Sequence, residues 1–128
     1  MKQTKGQSQR ILVVEDEPSI CQVCLRTLTA EGFEVDIAVN GAIAGKMLGE
    51  TEYDLCLIDI RTPIMNGRQL YQYILDKYPD FKGKIIFTTG DVLDDKLASM
   101  LKGAKRPYLP KPFTPDELKS IVKEALEG

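Results

Sequence analysis

The stretch Ile11-Leu12-Val13-Val14-Glu15-Asp16-Glu17-Pro18 decides the fold. Four consecutive apolar residues without alternation suit a strand buried on both faces. The abrupt change to three acidic residues and a proline marks the carboxyl end of such a strand, where it opens onto a polar loop. Pro18 fits the first turn of a following helix, where a missing N–H costs nothing. Ile20, Cys24 and Leu28 then recur at four-residue spacing until Gly32 offers a stop.

Outward from this unit, strand and helix keep alternating. Phe33, Val35 and Ile37 alternate with polar neighbours, as a strand with one wetter face would, and Asn40 can cap a helix that buries Ile43, Met47 and Leu48. Leu55 to Ile58 form a third strand. Asn66 can then cap a helix with Leu70, Ile74 and Leu75 facing inward, until Pro79 forbids continuation. Ile85 to Phe87 give a fourth apolar run, followed by a helix carrying Leu93, Leu97, Met100 and Leu101 that Gly103 is placed to end. A short fifth strand fits around Tyr108. Thr114-Pro115-Asp116-Glu117 is a capping box with proline at the first helical position, leading into Leu118, Ile121, Val122 and Ala125 on one face. Five strands alternating with five helices predict an α/β domain, a doubly wound parallel sheet whose ligands sit beyond the carboxyl ends of the strands. The expected organisation is a polar tail over residues 1–9 and one domain over 10–128.

The 128 residues suffice for one such domain and its core. A content of 43% hydrophobic and 28% charged residues excludes a disordered or fibrous chain. The net charge of -2 and a pI near 5.2 give no general electrostatic reason to approach nucleic acid or an anionic membrane. No apolar run reaches the length of a membrane span, and Met1 to Arg10 lacks the apolar stretch of a signal peptide, which predicts a cytoplasmic setting. Cys21-x-x-Cys24 has the spacing of a redox pair or half a zinc site. The chain has no histidine to complete a zinc site, and Cys56 sits in a strand-like run where a thiol packs as a small hydrophobe, so the cysteines read as structural.

The residues that follow each strand are Glu15 and Asp16 after the first, Asp59 after the third, Thr88 and Thr89 after the fourth, and Lys111 after the fifth. Carboxylates brought together repel one another by about 1 kcal/mol per pair at 4 Å in water, and by more inside a protein, so something positive must resolve the conflict. Hard oxygen donors without imidazole or thiolate suit Mg2+ or Mn2+. Lys111 supplies a movable positive charge for phosphoryl oxygens, a threonine hydroxyl can donate to one of them, and Asp59 is then the nucleophile.

These residues match a known pattern. The opening Ile11 to Pro18, the segment Ile58-Asp59-Ile60-Arg61-Thr62-Pro63-Ile64-Met65-Asn66-Gly67, the pair Thr89-Gly90 and Lys111-Pro112-Phe113 together resemble the receiver domains of two-component response regulators, over nearly the whole chain. The resemblance implies a flavodoxin-like receiver fold with strand order 2-1-3-4-5. It implies that Asp59 accepts a phosphoryl group, that Glu15, Asp16, Asp59 and the backbone carbonyl of Arg61 hold the metal, and that Thr89 and Lys111 contact the phosphoryl oxygens. It selects Thr89 over Thr88 as the switch hydroxyl, makes Tyr108 the switch aromatic, and suggests a cis Lys111-Pro112 bond. This chain departs from the family in Glu15, where aspartate is commoner, in Thr62 and in Gly90; whether the longer Glu15 meets the metal directly or through water stays open.

As a receiver the chain is a signalling domain rather than an enzyme in the usual sense, with Mg-dependent self-phosphotransfer and autodephosphorylation. Lacking histidine, it needs a donor from elsewhere, a sensor histidine kinase or a histidine phosphotransfer protein. The expected output is a downstream protein read through the C-terminal helices and last strand, with no nucleic acid or membrane contact by this domain. The receiver of a hybrid histidine kinase is the alternative setting. An interaction module without phosphorylation is disfavoured by the intact Asp59, Lys111 and acidic pair. A nucleotide or flavin binder is disfavoured by the acidic loop after Val14, where a phosphate cradle would offer glycines.

Overall fold

A computed structural model of the chain describes residues 9–62, 64–90 and 95–127, the side chains at 82 and 97 excepted. The expected N-terminal tail through residue 8, Pro63, Leu93 and the side chain of Leu97 lie outside the described residues. The elements follow as β1 (Arg10–Val14), α1 (Pro18–Ala30), β2 (Glu34–Ala38), α2 (Gly41–Glu50), β3 (Leu55–Asp59), α3 (Gly67–Lys77), a 3-10 helix (Pro79–Lys84), β4 (Ile85–Thr89), α4 (Asp95–Ala104), β5 (Tyr108–Pro110) and α5 (Pro115–Glu127). The strands form one parallel sheet in the order β2-β1-β3-β4-β5, the order the resemblance implied.

Alternation along the strands divides the core into two layers. Leu12, Val14, Cys56, Ile58, Ile85 and Phe87 face Ala44 of α2 and Leu70 and Ile74 of α3. Ile11, Val13, Leu55, Leu57, Ile86 and Leu109 face Cys24 and Leu28 of α1 and Leu118 and Val122 of α5. β1, β3 and β4 are thus apolar on both faces, which is why they read as continuous runs. Cys24 and Cys56 are free and buried in these layers, and burial pushes Cys24 up to about 12, the opposite of a reactive thiolate.

The helix ends are set by local chemistry. Gly32, with φ 93°, ends α1: its N–H donates to the Thr29 carbonyl at 3.0 Å and the Phe33 N–H to that of Leu28 at 3.1 Å, a Schellman pair. Asn40 Oδ1 accepts from the Ile43 N–H at 2.8 Å. Asn66 and Gln69 cap α3 reciprocally, as Thr114 and Glu117 cap α5.

Three expectations need correction. Ile43 is 41% exposed rather than buried, because α2 turns Gly41, Ala44 and Gly45 inward. The Met65 carbonyl and the Tyr73 ring lie so close to Gly41 and Gly45 that a larger side chain has no room on that face. Leu75 is only half-buried, leaving Leu70 and Ile74 to anchor α3. Gly103 remains helical; the chain leaves α4 at Lys105, with φ 55°, and Arg106 Nε donates to the Ile85 carbonyl at 2.9 Å to tie the exit to β4.

A Cβ at Gly41 would collide with the Met65 carbonyl, which belongs to the loop leaving β3. Gly41→Ala should therefore lower stability by about 1–3 kcal/mol, read as a lower urea midpoint with an unchanged slope.

Candidate functional site

The sheet order brings the carboxyl ends of β1 and β3 side by side, with Val14 opposite Ile58. The ladder continues just past the strands: Glu15 N–H donates to the Ala38 carbonyl at 2.9 Å, Ile60 N–H to Thr88 at 3.0 Å and Lys111 N–H to Thr89 at 3.0 Å. Backbone hydrogen bonds therefore fix the roots of Glu15, Asp59 and Lys111 although their side chains are polar. Glu15 and Asp59 are 1% and 3% exposed, whereas Asp16 is exposed.

Lys111 Nζ stands among three carboxylates, 2.8 Å from Glu15 Oε1, 3.1 Å from Asp59 Oδ2 and 3.2 Å from Glu17 Oε1. Asp59 Oδ1 accepts the Arg61 N–H at 3.1 Å, and Glu15 Oε2 accepts the Glu17 N–H at 3.2 Å. Burial opposes the charge on Lys111, but hydrogen bonds to Glu15 and Asp59 and their charges outweigh it and raise its pKa. Burial pushes Glu15 up to about 7; the hydrogen bond from Lys111 works against the shift and the charge of Asp59 adds to it.

Glu15, Asp16 and Asp59 each offer a carboxylate oxygen, and these oxygens lie within 4.8 Å of one another. An all-oxygen donor set beside an open cleft of about 360 Å³, lined by Asp16, Glu17, Asp59, Arg61, Gly90 and Lys111, fits a hard divalent cation that keeps some of its water. Arg61 is exposed at this rim. Thr89 is buried at the end of β4, and the half-buried Tyr108 places its hydroxyl 3.5 Å from the Thr89 carbonyl. The Lys111-Pro112 bond is cis.

The structure thus gathers Glu15, Asp16, Asp59, Arg61, Thr89, Tyr108 and Lys111 at one sheet edge. Two participants were not anticipated. Glu17 is a partner of Lys111, and its place in the acidic run was the available signal; Cys21 Sγ donates to the Glu15 carbonyl at 3.3 Å, which no spacing rule would reveal. Thr62, one of the departures from the family pattern, is buried and donates its hydroxyl to the Met65 carbonyl at 3.3 Å, closing the loop after Asp59.

Residues 11–123 match the family described as response regulator receiver domain. The chain belongs to that family. Among solved structures, a CheY-like receiver domain protein from Methanospirillum hungatei superposes with a TM-score of 0.84 at 28% identity, covering 94% of this chain and 95% of that one. The receiver domain of a sensor histidine kinase from Pseudomonas aeruginosa PAO1, solved with a magnesium ion coordinated in its active site cleft, gives the same TM-score of 0.84 at 28% identity over 95% of this chain and 100% of that one. Among curated proteins, this receiver is 34% identical to sensor kinase CckA of Brucella abortus over 94% of its own length but 13% of CckA, and 32% identical to the transcriptional regulatory protein CutR of Streptomyces coelicolor over 89% of its length and 52% of CutR. The chain spans only part of each of these relatives. Receiver domains belong to two-component signalling, where they meet histidine kinases and effector domains. Among the described residues, no helix is long and apolar enough to cross a membrane.

The raised Glu15 has a pH signature. Its folded pKa, about 7, exceeds the ordinary 4.5, so the stability this group contributes to the metal-free receiver is fully present below about 4.5 and is lost as pH rises through 7. Thermal unfolding of chelator-treated protein should show this decline between those values in wild type, and Glu15→Gln should lack that component.

Proposed function

We propose that this receiver accepts a phosphoryl group on Asp59 from a phosphohistidine of another protein, with Mg2+ or Mn2+ held by Glu15, Asp16, Asp59 and the Arg61 carbonyl. The observation that carries this reading is the buried Asp59 carboxylate paired with Lys111 beside two further acidic groups, at the end of the central strand of the sheet. The magnesium coordinated in the active site cleft of the Pseudomonas receiver supports the same choice of cation.

When bound, the cation neutralises charge on the carboxylates and on the incoming phosphoryl oxygens. Asp59 supplies the attacking oxygen, held in place by the Arg61 N–H on its other oxygen. Lys111 leaves Glu15 and Asp59 and turns its ammonium to the phosphoryl group, which needs only rotation of its own stem. Thr89 donates its hydroxyl to a phosphoryl oxygen, and Tyr108, next to it, changes orientation in response. The donor is a sensor histidine kinase or histidine phosphotransfer protein, since this chain holds no histidine. The altered surface comprises α4, β5 and α5, where a downstream protein reads it.

Residues 10–128 act as the receiver unit, preceded by a polar tail over 1–9, in the cytoplasm. The similarity to CckA and to the Pseudomonas kinase receiver favours a hybrid kinase as one setting of the domain, and the similarity to CutR favours a regulator with an output domain as the other.

Incubation with Mg2+ and acetyl phosphate should add the mass of one phosphoryl group, and Asp59→Asn or removal of the cation should abolish the gain. A well-folded wild type that gains nothing would leave a phosphorylation-independent interaction module in its place.

A further inference from the structure

Thr88 Oγ1 is a buried side-chain oxygen with no hydrogen-bond partner among the described residues. The residue is 1% exposed and stands directly beside Asp59, its Cα partner in the β3–β4 register. Paired residues on adjacent strands project to the same face, about 5 Å apart. Alternation identifies that face. Ile86 and Leu57 belong to the core layer under α1 and α5, so Thr88 and Asp59, two residues further along their strands, point the same way. Thr89 roots on the opposite side of β4.

Valine would fill nearly the same volume as Thr88 without burying an unpaired hydroxyl, so the threonine costs stability in this state. In this state both Asp59 oxygens are engaged, Oδ2 by Lys111 and Oδ1 by the Arg61 N–H. Transfer of Lys111 to a phosphoryl group would free Oδ2 to bond phosphorus and leave Oδ1, which accepts the Arg61 N–H on one lone pair, as the oxygen with room for a second donor.

We propose that Thr88 is a further catalytic residue: in the phosphorylated state its hydroxyl donates a hydrogen bond to the Asp59 carboxyl oxygen that is not bonded to phosphorus. The proposal rests on the reading of Asp59 as phosphoacceptor. In hydrolysis a water oxygen bonds to phosphorus and the bond from phosphorus to the Asp59 oxygen breaks. Its electron pair returns to Asp59 as a carboxylate; of the two water protons, one stays on the oxygen now bonded to phosphorus and the other passes to a second phosphate oxygen or to solvent. Negative charge grows on the carboxylate as this happens, so a donor aimed there favours hydrolysis. Thr88 therefore shortens the lifetime of the phosphorylated form.

The test compares wild type, Thr88→Val and Thr88→Ser. Each is phosphorylated with acetyl phosphate and Mg2+, the donor is removed, and decay is followed by intact mass, alongside thermal unfolding of the unphosphorylated proteins. Thr88→Val should melt higher and lose its phosphoryl group about three- to tenfold more slowly. Thr88→Ser should restore the wild-type decay. If valine prevents folding, Thr88→Ala carries the same comparison. A Thr88→Val lifetime within twofold of wild type, or a serine variant that decays as slowly as valine, overturns the role of the hydroxyl. A wild type that never gains a phosphoryl group instead removes the reading of Asp59, and this role with it.

Discussion

The contact on which the site depends is the ammonium of Lys111 lodged among Glu15, Asp59 and Glu17. Two of these carboxylates are buried within a few ångströms of each other, a placement that Coulomb repulsion and lost hydration both oppose. The lysine makes the cluster tolerable. Because it reaches in from the end of β5, two strands away from β3, on a flexible stem, it is suited to give way to a doubly charged ion in the proposed reaction. A buried Arg in its place would hold the carboxylates in a fixed fork and lose that mobility.

Everything else in the fold serves to place the four roots of this cluster. β1 and β3 are adjacent only because the chain crosses over after β2, and the same crossover leaves the carboxyl ends of β1 and β3 open at the centre of the sheet. Buried apolar residues on both faces of β1, β3 and β4 hold those ends to the register that the ladder sets. The contact of Gly41 with the Met65 carbonyl ties the loop after Asp59 to α2. Among the described residues, the unpaired hydroxyl of Thr88 is a further place where local stability is given up beside Asp59.

Much of this was legible in the sequence because it is local chemistry. The unbroken run Ile11 to Val14 could only be a doubly buried strand, and the caps at Asn40, Asn66 and Thr114 are written in single side chains that reach three residues ahead. The convergence of Glu15, Asp59 and Lys111 followed from reading what comes after each strand. The strand order did not follow from periodicity; the family pattern supplied it. What escaped depends on contacts between elements. Ile43 and Gly45 are equally plausible inner positions until the Tyr73 ring is placed against α2, and Lys105 replaces Gly103 as the helix end because the exit is tied to β4. Glu17 looked like one more solvated acid until Lys111 had a direction. The 3-10 helix over Pro79–Lys84 carries no amphipathic signal of its own and is fixed by its neighbours.

If the cluster works by exchange of one positive charge for another, Lys111 and a divalent cation compete for Glu15 and Asp59. Calorimetric titration of Mn2+ into wild type and Lys111→Met tests this directly. The account predicts that the methionine variant binds the ion more tightly than wild type, with the difference shrinking as salt screens the cluster. Equal or weaker binding by Lys111→Met would contradict it, and would mean that the lysine helps to build the cation site rather than holding it until the ion arrives.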